Sequence, residues 1–313
     1  MKLMMGTRGS ALAVAQSGDV ARMLEAQGHE VEVTIIETKG DMDRDRPFAE
    51  VGAPGLFVRE IEYALLDGRI DFAVHSYKDL PSDNPDGLII AAIPERVDAA
   101  DHLLVAAAAW DPDAGPLPVK QGAIIGTASA RRQALLSHLR PDLSSKLLRG
   151  NVPTRIQKLA DGDYDAILLA GAGIHRLARS GIETLKDQGI QVARLDPAIF
   201  IPAPSQGALA VQVRRNDAPI RAAIEAINDA SATPAVQAER RLQALVEGGC
   251  RLPFGAYATP TPSGGLMLRA FLAVEGQAHQ GSAQGTDPHA VAERLWDQLN
   301  QWEGPPPWQA KTP

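Results

Sequence analysis

The sequence predicts an α/β protein, with two β/α series that echo one another in plan and a smaller α+β block after them. Three observations carry this. Short β-branched or apolar runs alternate with helix-length runs of good helix formers through most of the chain. Strand after strand ends in a turn bearing Gly or Ser that opens a helix. Beyond residue 250 the alternation stops and strands precede a single final helix. A chain of 313 residues is long for one core and divides into two or three domains.

The first series opens with a strand over residues 2–7 and a helix over 11–26, stopped by Gly28. The β-branched run 31–38 is a strand, and the polar stretch 39–54 a long loop of the kind that carries function more often than not. A helix over 56–66 precedes a compact strand, 70–75, that ends directly in Ser76-Tyr77-Lys78-Asp79-Leu80-Pro81. A strand follows over 88–93, then a crossing segment over 94–101.

The second series starts near Leu103. It predicts a strand at 123–126, a helix at 130–139, a strand at 146–148, a helix entered through Arg149-Gly150-Asn151, and a strand at 165–170. Gly171-Ala172-Gly173 then opens a helix. The proline-braked segment 200–210 returns to a strand at 209–213, and helices follow at 218–228 and 235–246. The last block predicts strands at 255–259 and 266–274 joined by Gly264-Gly265, a helix across 288–302, and a fraying proline-rich tail over 304–313.

Composition excludes several classes. Hydrophobic content of 45% with 22% charged residues fits a globular protein, and no apolar run approaches the ~20 residues of a membrane span. One cysteine and no export signal point to the cytoplasm, and a net charge of -7 argues against a protein devoted to nucleic acid. Metal binding lacks a paired Cys or a His at ligand spacing, so no metal is expected.

The chemistry-bearing residues fall at the turns. Cys250 is the only cysteine and sits in Glu247-Gly248-Gly249-Cys250, where the diglycine lets the backbone expose the sulfur. Asp79 and Lys78 stand at a strand end, where parallel sheets place ligands. Arg8 and Ser10 stand at a helix entrance, although a cap is the ordinary role for Ser10. Arg131, Arg132, Arg149, Arg155 and Arg176 recur beside strand-to-helix turns, a pattern that suits a polyanion. A Cys–His–acid hydrolase built from Cys250, His75 and Asp79, or a two-lobed small-anion binding protein, remains open at this level.

Four segments narrow the choice: Val74-His75-Ser76-Tyr77-Lys78-Asp79-Leu80-Pro81, Gly126-Thr127-Ala128-Ser129-Ala130-Arg131-Arg132-Gln133, Leu148-Arg149-Gly150-Asn151 and Glu247-Gly248-Gly249-Cys250. With Ser205-Gln206-Gly207-Ala208 and Ala238-Glu239-Arg240, their order and spacing resemble the porphobilinogen deaminase (hydroxymethylbilane synthase) family from Gly6 to about Leu272. The resemblance implies two β/α domains like periplasmic ligand-binding modules around a cleft. Residues 1–97 and 207–229 would form the first, residues 98–206 the second, and residues 230–313 a third, α+β domain.

It further implies a dipyrromethane cofactor in thioether linkage to Cys250, onto which four porphobilinogen molecules are condensed before hydroxymethylbilane is released. Arg131, Arg132, Lys78, Thr127 and Ser129 would bind the cofactor, and Arg8, Ser10, Arg149, Arg155 and Arg176 the incoming or growing rings. Asp79 would stabilise cationic azafulvene and pyrrole intermediates and relay protons. The resemblance implies no partner beyond this small-molecule substrate, and nothing in the sequence demands more than a monomer. The chain departs from the family pattern at Glu50, at Ala53-Pro54-Gly55, at Pro153 and at Leu245; these touch the loop and the chain-handling region, and leave Asp79 and Cys250 intact.

Overall fold

The computed structural model describes residues 1–37, 58–182, 185, 189–247 and 252–300. The expected loop at 39–54 with Glu50 and Pro54, the cysteine Cys250 and the tail at 304–313 lie outside the described residues. The strands are β1 (Lys2–Thr7), β2 (Glu30–Ile35), β3 (Phe72–Ser76), β4 (Leu88–Ala92), β5 (Asp101–Ala106), β6 (Ile124–Gly126), β7 (Ser144–Lys146), β8 (Ala166–Ala170), β9 (Ile190–Arg194), β10 (Leu209–Arg214), β11 (Phe254–Pro260), β12 (Leu266–Val274) and β13 (Gln277–Gly285). The chain divides into two compact units, Met1–Val97 with Gly207–Thr233, and Asp98–Gln206 with Pro234–Pro313.

The first unit holds a sheet of order β2-β1-β3-β10-β4. Strands β1, β2 and β3 run parallel, while β10 arrives from far along the chain and inserts antiparallel between β3 and β4. Successive side chains of a strand point to opposite faces. Phe72 and Val74 therefore join Leu3, Met5 and Val211 under the helices Ala11–Glu25 and Ala218–Glu225. Ala73 points the other way, packing with Ile61, Leu65 and Ile70 under the helix Arg59–Leu66. Burying each large side chain contributes about 1.5–3 kcal/mol, so both faces of the sheet are held.

The second unit repeats the plan. Its sheet has the order β7-β6-β8-β5-β9, with β6, β7 and β8 parallel and β5 inserted antiparallel. Leu103, Val105 and Leu168 face one layer, and Leu104, Ile167 and Leu169 the opposite one. The same unit contains the antiparallel sheet β11-β12-β13. The helices Ala232–Glu247 and Pro288–Leu299 pack on it through Ala238, Leu242, Val291 and Leu295, while Phe271 and Ala273 of β12 join the core beside Leu103 and Phe200.

Strands β9 and β13 are among those that escape sequence reading. Strand β13, Gln-Ala-His-Gln-Gly-Ser-Ala-Gln-Gly, has almost no apolar face, yet it pairs with β12 along its whole length. It is an edge strand, held by its neighbour's ladder rather than by its own pattern. The short strand β9 lies at the other sheet's edge and gains its pairing from β5.

Candidate active site

In the first unit the parallel register sets Gly6 beside Ala73, so β1 and β3 release the chain along one sheet edge. Arg8 and Ser10 follow β1 there. Lys78 and Asp79 follow β3 in a single 3-10 turn, Tyr77–Asp79, closed by the Leu80 N–H donating to the Tyr77 carbonyl at 3.2 Å. Leu80 is buried and anchors the turn, leaving Asp79 exposed and Lys78 half-buried. Among the described residues the Asp79 side chain makes no hydrogen bond or ion pair. The Ser10 hydroxyl accepts from the Ala13 N–H at 3.3 Å, the cap role that its position at a helix entrance ordinarily implies.

His75 stands four residues before Asp79 but is not its partner. The ring is buried, with Nε2 3.1 Å from Gln212 Oε1. Burial pushes its pKa down to about 4, against the Gln212 hydrogen bond and with help from the Arg8 charge. A neutral histidine spent on Gln212 does not orient a hydrolase triad. Gln212 in turn donates to Glu62 Oε1 at 3.4 Å and to Asn84 Oδ1 at 3.3 Å.

In the second unit one sheet edge collects the turns after three neighbouring parallel strands. Thr127 to Arg132 follow β6, Arg149 and Arg155 follow β7, and Arg176 follows β8. Ser129 caps the helix Ala130–Leu139, its hydroxyl accepting from the Arg132 N–H, and the Thr127 hydroxyl accepts from the Ser129 N–H at 3.2 Å. Asn151 caps the helix Val152–Ala160, where Pro153 occupies the first turn without cost to the ladder. Gly150 has φ +114°, and a Cβ there would meet Thr154 at 2.9 Å, so the Arg149-Gly150-Asn151 turn requires glycine. Arg155 Nε donates to the Gly150 carbonyl at 2.8 Å; burial and the neighbouring Arg132 charge both lower its pKa, without removing its charge. Arg176 is buried in the helix Gly171–Arg179.

Arg131 and Arg132 do not project freely. They are 5% and 7% exposed, and both close on Asp101, which is 0% exposed. Arg132 donates to Asp101 Oδ1 through Nε at 3.1 Å and Nη2 at 2.6 Å, and to the Leu168 carbonyl through Nη1 at 2.9 Å. Arg131 donates to the Ile201 carbonyl at 2.7 Å, and its Nη2 lies 2.8 Å from Asp101 Oδ2, an ion pair without hydrogen-bond alignment. Burial alone would raise the Asp101 carboxyl. The Arg131 and Arg132 charges, with hydrogen bonds from Arg132 and Gln206, reverse that and hold it well below the usual carboxylate range.

Sequence reasoning missed Asp101. Antiparallel β5 starts where β8 ends, Asp101 opposite Ala170, and this places it among the arginines. Its one sequence signal is an acid heading the apolar run Leu103-Leu104-Val105.

The arrangement suits a ligand with carboxylates. Two guanidinium groups share one buried carboxylate, leaving net positive charge, and Arg131 Nε is buried with no hydrogen-bond partner among the described residues. No helix among the described residues is long and apolar enough to cross a membrane.

Fold and site together define an α/β enzyme with twin mixed sheets, a buried arginine pair at one sheet end and an outward carboxylate at the other. The profile of the family described as "Porphobilinogen deaminase, dipyromethane cofactor binding domain" matches residues 3–222. The porphobilinogen deaminase of Bacillus thuringiensis (strain Al Hakam) is 40% identical over 302 residues, covering 95% of this chain and 94% of that one. That of Syntrophobacter fumaroxidans is 44% identical over 255 residues, covering 81% and 78%. The chain belongs to the porphobilinogen deaminase family.

As a member it is a transferase, a hydroxymethylbilane synthase that joins porphobilinogen units with release of ammonia and uses a dipyrromethane cofactor. Solved structures similar to it include the periplasmic VFT2 domain of Bordetella pertussis BvgS, 14% identical with TM-score 0.41 and covering 72% of this chain and 85% of that one. Another is an ancestral arginine-binding protein bound to arginine, 13% identical with TM-score 0.39, covering 72% and 90%.

Proposed function

We propose that the two sheet ends divide the work of the synthase between binding anions and managing positive charge. The observation that carries this reading is the contrast in chemistry at matched sites. Guanidinium groups gather at the carboxyl ends of β6, β7 and β8, and a solvent-facing carboxylate stands at the carboxyl end of β3.

Cys250 holds the dipyrromethane as a thioether, and Arg131 and Arg132 bind its carboxylates, with Lys78, Thr127 and Ser129 assisting through charge or through the turn that carries the arginines. When bound, the dipyrromethane supplies a free pyrrole α-carbon as the nucleophile. Arg8, Arg149, Arg155 and Arg176 bind the acetate and propionate groups of porphobilinogen and of the lengthening product, with Ser10 fixing the helix entrance beside Arg8. Arginine suits this task because its fork pairs with a carboxylate in two parallel hydrogen bonds and stays charged at every working pH.

Asp79 acts on the charge that appears as ammonia leaves. Its carboxylate lies in place before the reaction and stabilises positive charge developing on the substrate's pyrrole nitrogen. The same oxygens accept the proton released by the attacked ring, and the group so protonated delivers it to the next departing amine. Its exposure in the described structure leaves those oxygens available to a substrate rather than committed to the protein.

The reading carries three domains, residues 1–97 with 207–229, 98–206 and 230–313. The cluster that the β11-β12-β13 sheet forms with its own two helices supports the third, although Phe271 and Ala273 of β12 join the neighbouring core. It also carries a cytoplasmic monomer whose partner is porphobilinogen, with no part for nucleic acid or a membrane.

Cys250→Ser tests the reading. The folded variant is expected to show the unmodified mass and to lose nearly all turnover. Full activity with no adduct at any residue would overturn it.

A further inference from the structure

We infer that Asp101 is a positioning residue for cofactor loading: it holds the Arg131 and Arg132 forks in the orientation that accepts the dipyrromethane carboxylates, and Gln206 fixes Asp101 in turn. The inference rests on the proposed role of the two arginines.

Arginine is a long side chain with several rotatable bonds, and ordering it only at the moment of binding opposes affinity. Here the ordering is done beforehand. Asp101 Oδ1 takes two N–H groups of Arg132, and Oδ2 pairs with Arg131. The Leu168 and Ile201 carbonyls tie down one further nitrogen of each. Each guanidinium carries five N–H donors, so both keep donors for a ligand. Among the described residues Arg131 Nε is buried without a partner, so that fork is not fully committed to the protein.

Gln206 is the next shell outward. Its Nε2 donates to Asp101 Oδ1 at 3.0 Å and to the Ala99 carbonyl at 2.7 Å. It follows Ser205, which is held at φ 61° while its N–H donates to the buried Glu239 at 2.6 Å. The Ser205-Gln206-Gly207 motif thereby acquires a purpose that its sequence does not reveal: its amide reaches the carboxylate beneath the arginines.

A positioning role and a competing role predict opposite signs. If Asp101 merely occupies the arginines, its removal frees positive charge and strengthens binding of a polyanion. If it positions them, Asp101→Asn weakens loading although the site becomes more positive.

The experiment compares protein as purified by intact mass, taking the ratio of primed to unprimed molecules in the folded fraction, with Tm recorded in parallel. Asp101→Asn is expected to lower that ratio about ten- to a hundredfold, the scale of a lost charge-assisted hydrogen bond. Gln206→Leu, which leaves both ion pairs in place, is expected to lower it less and in the same direction.

Arg140→Leu is the stability control. It removes the hydrogen bonds to Ala114, Leu117 and Val119 and the ion pair with Asp142, remote from the loading chemistry, and should lower Tm with normal loading. Arg132→Leu tests the underlying reading. If it loads normally, the arginine assignment itself fails. If it fails to load while Asp101→Asn loads normally or better, or merely loses Tm as Arg140→Leu does, the positioning inference alone is overturned. Should Asp101→Asn not fold, Gln206→Leu decides: reduced loading supports the inference and normal loading ends it.

Discussion

The two five-stranded sheets share one strand order, yet their functional ends are built on opposite principles. At the end of β3, Asp79 sits on an exposed single turn, anchored by Leu80 and without a described side-chain partner. At the ends of β6 and β8, Arg131 and Arg132 are buried and locked on Asp101. The difference suits the proposed tasks. A buried charge survives only when it is paired and hydrogen-bonded, so the arginines form a rigid cradle whose shape is set in advance. In the proposed role of Asp79, a carboxylate that meets a transient cation and exchanges protons is better left unpaired and reachable by the substrate.

The largest effect expected from this contrast is on stability, in the locked region. Arg132→Leu leaves the buried Asp101 with Arg131 and Gln206 alone and is expected to cost about 2–4 kcal/mol, read as a fall in the denaturation midpoint. Asp79→Asn should do the reverse. Its stability stays within about 0.5 kcal/mol of the parent because the site is exposed, while single-turnover product formation falls at least ~100-fold. Asp79→Glu, which keeps the charge one methylene away, should retain more activity than Asn. A stable, primed Asn variant working at the parental rate would remove the electrostatic role of Asp79 and with it the contrast.

A third effect belongs to the support beneath Asp79. His75 has its folded pKa depressed to about 4 from 6.5, so the folded state resists its protonation. Its contribution is present above pH 6.5 and is lost as pH falls toward 4, amounting to about 2 kcal/mol between pH 7 and pH 5. Glu62, whose pKa is raised by burial, acts with the opposite sign just above its ordinary value and blunts the low end of this slope. Denaturation midpoints measured from pH 7 to 5 should therefore fall more steeply in the parent than in His75→Asn; equal slopes would deny the coupling.

A small stability effect is also expected at Arg155, which is half-buried and close enough to Arg132 to feel its like charge. Arg155→Leu should change stability by less than about 1 kcal/mol, since the lost bond to Gly150 is offset by relief of that repulsion. Its primer should attach normally, while elongation stalls and partial chains accumulate by intact mass. Failure to prime would merge Arg155 with the locked pair.

Much of this was legible in the sequence, for reasons that particular residues make clear. The buried strand around Phe72 and Val74 and the helix around Val20 and Leu24 announce themselves through local periodicity, and the Tyr77-Lys78-Asp79 turn follows from a strand ending against a proline-marked loop. Strand β13 did not, because an edge strand with polar residues on both faces carries no period of its own. Nor did β10's insertion beside β3, since pairing between Ser76 and Leu209 is a long-range event with no local signature.

The sequence by itself determined which residues stand at strand-to-helix turns: Asp79, Lys78, the arginines, and the caps Ser10, Ser129 and Asn151. Turn chemistry and capping act over three or four residues, so the chain writes them where they occur. Only the tertiary structure decided what those residues meet. Asp101 lies 30 residues from Arg131 in sequence, and Gln206 lies further still. They converge because an antiparallel strand begins where a parallel one ends, and because burial allows no free charge at that point, so a carboxylate had to be brought in from elsewhere in the fold.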